Sequence, residues 1–149
     1  MNEFFVTQHP NFTNITYLVE KGSAELVGQD YENAFNSLAP LGAEVFRQIG
    51  STKTVFDRRK IWTGQYSPSS ILPMHHYAGR DSMLFSSDYT GILVLETGSY
   101  IEYLDINRGK EVLRLTLSTG DLIVISHNLI RGWPRINEKL FLLLFEIKS

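Results

Sequence analysis

The chain has 149 residues, of which 43% are hydrophobic and 20% charged. That balance belongs to an ordinary globular domain with enough apolar surface for one core, and not to a disordered chain. A net charge of -2, a pI near 6.1 and the absence of cysteine exclude a broad cationic face for nucleic acid, disulfide scaffolds, thiolate metal sites and a cysteine nucleophile.

The opening Met1-Asn2-Glu3-Phe4-Phe5-Val6 has neither the basic region nor the apolar stretch of a leader, and no later run approaches membrane-spanning length. A cytoplasmic protein without a membrane partner is therefore expected. The Asn-x-Thr triplets at Asn11 and Asn14 are read as chance.

Residues 24–38 place Ala24, Val27, Tyr31, Ala34, Phe35 and Leu38 on one face at helical spacing, and Pro40 stops the pattern. This predicts an amphipathic helix within an N-terminal extension, residues 1–42. From residue 43 the texture becomes short apolar segments divided by turn residues, the pattern of an all-β barrel or sandwich. The predicted strands are 44–49, 54–57, 60–67, 71–77, 82–86, 91–96, 99–105, 111–117, 121–126 and 140–147. Arg58, Arg59 and Lys60 are read as a solvated strand end.

Leu113, Leu115 and Leu117 alternate with Arg114 and Thr116, so that strand meets a core on one side and water on the other. The stretch Asn107-Arg108-Gly109-Lys110 predicts a hairpin between 99–105 and 111–117. Leu140 to Phe145 is apolar at every position, which requires cover on both faces: a central strand, a helix packed on it, or a second copy of the chain. A homodimer is expected on this ground.

Gly120-Asp121-Leu122-Ile123-Val124-Ile125-Ser126 followed by Arg131-Gly132-Trp133 resembles the second motif of the cupin superfamily. Pro73-Met74-His75-His76-Tyr77 and Gly91-Ile92-Leu93-Val94-Leu95-Glu96-Thr97-Gly98 resemble its first motif, with a long stretch, residues 78–90, between them. The resemblance covers residues 60–147 and implies a double-stranded β-helix, or jelly-roll barrel, over residues 43–149. Metal-binding cupins present two histidines at alternate positions, a carboxylate or Gln, and a later histidine. Carried over, His75 fills the first place, but Tyr77, Gly91 and Arg131 fall on the other three, so no cofactor is expected.

His75 and His76 are neighbours and point to opposite faces of a regular strand. If a metal is bound, a β-bulge would have to turn both inward, with His127, Asp81 or Asp88 completing the set; the histidine set would be His75, His76 and His127. His75 is otherwise either a packed core histidine or an acid/base group, and Tyr77 shares its face. Arg131, if inward, cannot ligate a cation but suits a carboxylate or phosphate. Its loss is expected to weaken anion binding while changing stability little. Trp133 would supply an aromatic wall, whereas Trp62 is read as packing.

Esterase, Walker, zincin and dinucleotide signatures are absent, as is a His-x-Asp triad. The expected function is binding of a small anionic organic molecule, with His75 abstracting a proton, Tyr77 delivering one and Arg131 stabilising charge in a metal-independent isomerase, epimerase, lyase or cyclase. The alternatives are a non-catalytic small-molecule sensor, and a metal-dependent dioxygenase or lyase with a rearranged ligand set.

Overall fold

A computed structural model describes residues 4–8, 24–38, 55–68, 89–108, 110–126 and 129–148. In chain order the elements are β1 (Phe4–Gln8), β2 (Ala24–Glu25), α1 (Gly28–Leu38), β3 (Val55–Tyr66), β4 (Tyr89–Thr97), β5 (Glu102–Arg108), β6 (Glu111–Leu117), β7 (Asp121–Ser126), β8 (Ile130–Gly132) and β9 (Leu140–Lys148). They form a six-stranded sheet, β1-β7-β4-β9-β3-β2, and a three-stranded sheet, β6-β5-β8, with every described pairing antiparallel. This is the double-sheet, cupin-type jelly roll that the motifs imply.

The apolar strands at the centre of the larger sheet are covered on both faces because successive side chains serve two different cores. Ile92 and Val94 of β4, Ile123 and Ile125 of β7, and Leu140, Leu142 and Leu144 of β9 meet Leu104, Ile106 and Leu117 in the core between the sheets. Leu93, Leu95, Leu122, Val124, Phe141, Leu143 and Phe145 form a second core with Ala34 and Leu38 of α1. Tyr31 and Phe35 stack at 6.3 Å between centroids and pack against that second core. The cover required by β9 is thus supplied by its own chain, and this strand does not call for a second copy.

The helix begins four residues later than its apolar spacing suggests. Ala24–Glu25 instead pairs with β3, Leu26 N–H donates to the Ile61 carbonyl at 2.8 Å, and Gly28 enters the helix at φ +59°. Edge pairing fixes the chain before the turn, and Val27 is left 73% exposed. The predicted segments 54–57 and 60–67 are one strand, whose register with β9 shifts between Asp57 and Ile61, where Arg58, Arg59 and Lys60 lie. β1 was not expected from the sequence, and β8 was absent from the predicted segments although the second motif implies a short return strand at Arg131-Gly132-Trp133. The former pairs with β7 along its whole length, so the segment before residue 43 contributes strands to the larger sheet as well as a helix.

The β5–β6 hairpin closes at Arg108 opposite Glu111, as its turn residues predict, and β6 shows the expected alternation of exposed and covered positions. At the Gly-Asp turn, Gly120 adopts φ +93°, a conformation open to glycine at little cost. The Asp121 carboxylate accepts the Ser118 N–H at 3.0 Å, and Gly120 N–H reaches the Val94 carbonyl at 2.8 Å. This turn aims β7 along β4 and sets where Ser126 ends. No helix among the described residues is long and apolar enough to cross a membrane.

The predicted strands 44–49, 71–77 and 82–86 lie outside the described residues.

Candidate functional site

Arg131 sits in the middle of β8, opposite Ile106 of β5, and is 3% exposed. Its side chain crosses the space between the sheets. Nη2 donates to Thr90 Oγ1 at 3.0 Å, and Nη1 donates to the Ser126 carbonyl at 3.2 Å. Thr90 lies opposite Ile125, whose side chain belongs to the inter-sheet core, so the threonine hydroxyl is on the inward face of β4. The Ser126 carbonyl also accepts the Leu129 N–H at 3.1 Å, which folds the chain leaving β7 back toward β8. Of the two positions open to Arg131, inward and outward, it takes the inward one, and the guanidinium ties three strands together.

Trp133, two residues on, is 7% exposed and belongs to the same inter-sheet core. Its indole is tilted by 53° against the Tyr66 ring of β3, with centroids 5.7 Å apart. Trp133 thus packs against Tyr66 within the core, while its Nε1–H finds no hydrogen-bond partner.

Gly91, the place given to the family's carboxylate, is corrected by the register. It pairs with Val124 and Phe145, whose side chains face α1, and a Cβ built on it would overlap the Phe145 ring. The position points away from the inter-sheet core and has no room for a side chain. The inward residue beside it is Thr90, which sequence reasoning missed because the predicted strand began at 91. Its signal was a polar β-branched residue two places before Ile92, on the same face.

The buried carboxylates have structural partners. Glu102, fully buried, accepts the Asn137 and Glu138 N–H groups at 2.7 and 2.9 Å. Asp105 is bridged by Arg114 at 2.8 and 3.0 Å, and Asp121 caps its turn. Among the described residues, no three His, Cys, Asp or Glu side chains converge. His75, His76, Tyr77, Asp81, Asp88 and His127 lie outside the described residues.

No protein-family model matches the chain, and no curated protein matches it in sequence. Solved structures do match in fold. The viral collagen prolyl hydroxylase of Paramecium Bursaria Chlorella virus-1, in its 2-oxoglutarate complex, superposes with a TM-score of 0.71 at 10% identity, covering 99% of this chain and 96% of that one. HygX from Streptomyces hygroscopicus, with nickel and 2-oxoglutarate bound, gives 0.64 at 11% identity over 99% and 82% of the two chains. A 2OG-Fe(II) oxygenase family oxidoreductase from Burkholderia pseudomallei gives 0.67 at 14% identity over 97% and 67%.

These likenesses place the chain among cupin-type jelly rolls, and they correct one expectation. The absence of a cofactor was inferred from ligand places counted along the motif, whereas similar structures are those of metal and 2-oxoglutarate proteins. Counting along one motif registers only donors at that motif's spacing, and it is blind to a set assembled from other strands and loops.

Proposed function

We propose that the chain is a metal-dependent enzyme of small organic acids, with the acid's carboxylate held at Arg131 inside the barrel. The observation that carries this is the buried guanidinium between the sheets, because a desolvated planar cation with forked donors is the protein group best matched to a carboxylate. The 2-oxoglutarate named for two of the similar structures is an organic acid of this kind and supports the reading.

The donor set fits a metal in chemical type. Arg131 cannot ligate where the motif would place its last histidine, and the described buried carboxylates are engaged elsewhere. The donors then fall to His75, His76 and His127, with Asp81 or Asp88 able to complete the set, imidazoles and carboxylates of the kind that iron, nickel and zinc accept. A metal bound there would polarise an oxygen of the acid. Tyr77 would hold or deliver a proton at its phenolic oxygen, and Arg131 would orient the acid through its carboxylate.

Elemental analysis of protein refolded with iron or nickel and then dialysed tests the metal, and a thermal-shift screen of small mono- and dicarboxylates on that protein tests the acid. The expected result is about one metal per chain, lost on combined His75→Ala and His127→Ala substitution, and a melting temperature raised by an acid. Metal retained by the double variant, or no acid that stabilises the loaded protein, would overturn the proposal.

A further inference from the structure

Trp133 Nε1 is the one buried side-chain nitrogen or oxygen among the described residues without a hydrogen-bond partner. A buried donor left unpaired is costly, and native structures seldom keep one without a water, ion or ligand to meet it. The indole N–H donates only, so whatever meets it must be an acceptor. Arg131, two residues earlier, projects into the same inter-sheet space. A cationic fork and a lone aromatic donor thus face one interior, with the Tyr66 ring against the indole.

We infer that Trp133 Nε1–H is a second anchoring point for the bound acid. It donates to an oxygen distinct from the carboxylate at Arg131: an oxo, hydroxyl or second carboxylate oxygen. The ligand class is accordingly an acid with two separated acceptor groups, such as a dicarboxylate or an oxo acid, and not a simple fatty acid. This rests on the proposed binding of an acid at Arg131 and narrows it.

The chain has two tryptophans, Trp62 and Trp133, so Trp62→Phe leaves Trp133 as the sole indole reporter. In that protein, loaded with nickel for affinity measurements or zinc for NMR, succinate and 2-oxoglutarate are compared with butyrate, which lacks the second acceptor. The indole N–H resonance should move downfield and become protected from exchange on addition of either dicarboxylate, but not of butyrate. Adding Trp133→Phe should weaken dicarboxylate binding by about tenfold while leaving butyrate within about twofold. Equal effects on both acids, or an indole resonance unmoved by a dicarboxylate that binds, would mean that the N–H meets only buried water, and the inference falls while acid binding stands. If neither acid binds, the Arg131 proposal falls and takes the inference with it. The resonance is read with Trp133 in place, so that result does not depend on the Phe variant folding.

Discussion

Arg131 on β8 donates to Thr90 on β4 at 3.0 Å, a hydrogen bond that joins the smaller sheet to the larger one through their shared core. With the Ser126 carbonyl as a further acceptor, the guanidinium is part of the fold's internal bracing as well as a candidate anion anchor. The sequence reading expected its loss to spare stability. The structure predicts otherwise.

Arg131→Ala should destabilise the protein by about 2–4 kcal/mol, because it removes charge-assisted hydrogen bonds and leaves a void between the sheets. Thr90→Val should cost about 1–2 kcal/mol by stripping one acceptor from a buried cation. Urea unfolding of the single and double variants checks both values. The two losses should not add, since each substitution removes the same bond. Full additivity would show that the two side chains do not interact.

Gly91→Ala should also be destabilising, by about 1–3 kcal/mol, because its new methyl group must displace the Phe145 ring from a close-packed face. Phe145→Leu costs stability alone by shrinking the core, yet in the double variant the space it vacates should recover part of the Gly91→Ala penalty. Thermal melts of the four proteins test this coupling, and a double variant no better than the sum would place the ring elsewhere.

Gly91 also shows what could be read from the sequence and what could not. The Gly-Asp turn at 120–121, the hairpin at 107–110 and the two-faced strand at 140–145 each declare themselves, because turn chemistry and apolar runs are local signals. Which face a residue occupies is a matter of parity. A run such as Ile92-Leu93-Val94-Leu95, apolar at every position, carries no parity of its own, and Gly91, reached by counting along the motif, lies one place off the inward-facing Thr90. β8 is three residues long and too short for any period, and Arg131 within it drew attention only through the motif. The expectation of no cofactor rested on spacing within one motif, and a ligand set built across strands would leave no such spacing. His75, His76, Tyr77 and His127 remain proposals.

Glu102 anchors the turn before β9 by accepting two backbone N–H groups with both carboxylate oxygens. Glu102→Ala should cost about 2–4 kcal/mol, since it leaves two donors unpaired at a position with no exposure. Glu102→Gln, which keeps one acceptor oxygen, should lose less. Hydrogen exchange at Asn137 and Glu138 checks the mechanism directly: both amides should exchange faster in the alanine variant, while amides in the β5–β6 hairpin keep their rates until global unfolding.

The Lys139 ammonium is held above its usual pKa, first by its hydrogen bond to Glu96 at 2.6 Å and then by that carboxylate's charge. A raised folded-state value means that the pair's contribution is complete below the ordinary lysine range and is lost as pH rises through the folded value. Both partners are solvent-accessible, so screening keeps the contribution small. Lys139→Met should leave the urea midpoint at pH 7 nearly unchanged in 1 M salt. Any difference at low salt should vanish at strongly alkaline pH. A midpoint shift that survives both high salt and alkaline pH would show that Lys139 acts through packing.

Leu142 and Leu144 were candidates for a dimer interface, and their surroundings now give a different expectation. Both lie on the inter-sheet face of β9, a strand hydrogen-bonded to β4 on one side and β3 on the other. Their neighbours Phe141, Leu143 and Phe145 meet the core under α1, so neither face of this strand is left to a second copy. A charge at Leu142 must be buried in apolar surroundings without a counter-ion, a penalty of several kcal/mol added to the roughly 1.5–3 kcal/mol of lost side-chain burial. The sum is comparable to the whole stability of a domain this size. Leu142→Asp should therefore abolish cooperative unfolding and near-UV circular dichroism. Light scattering together with circular dichroism separates this from interface loss. A variant that stays folded while its mass falls by half would assign Leu142 to an interface and reject its place in the core.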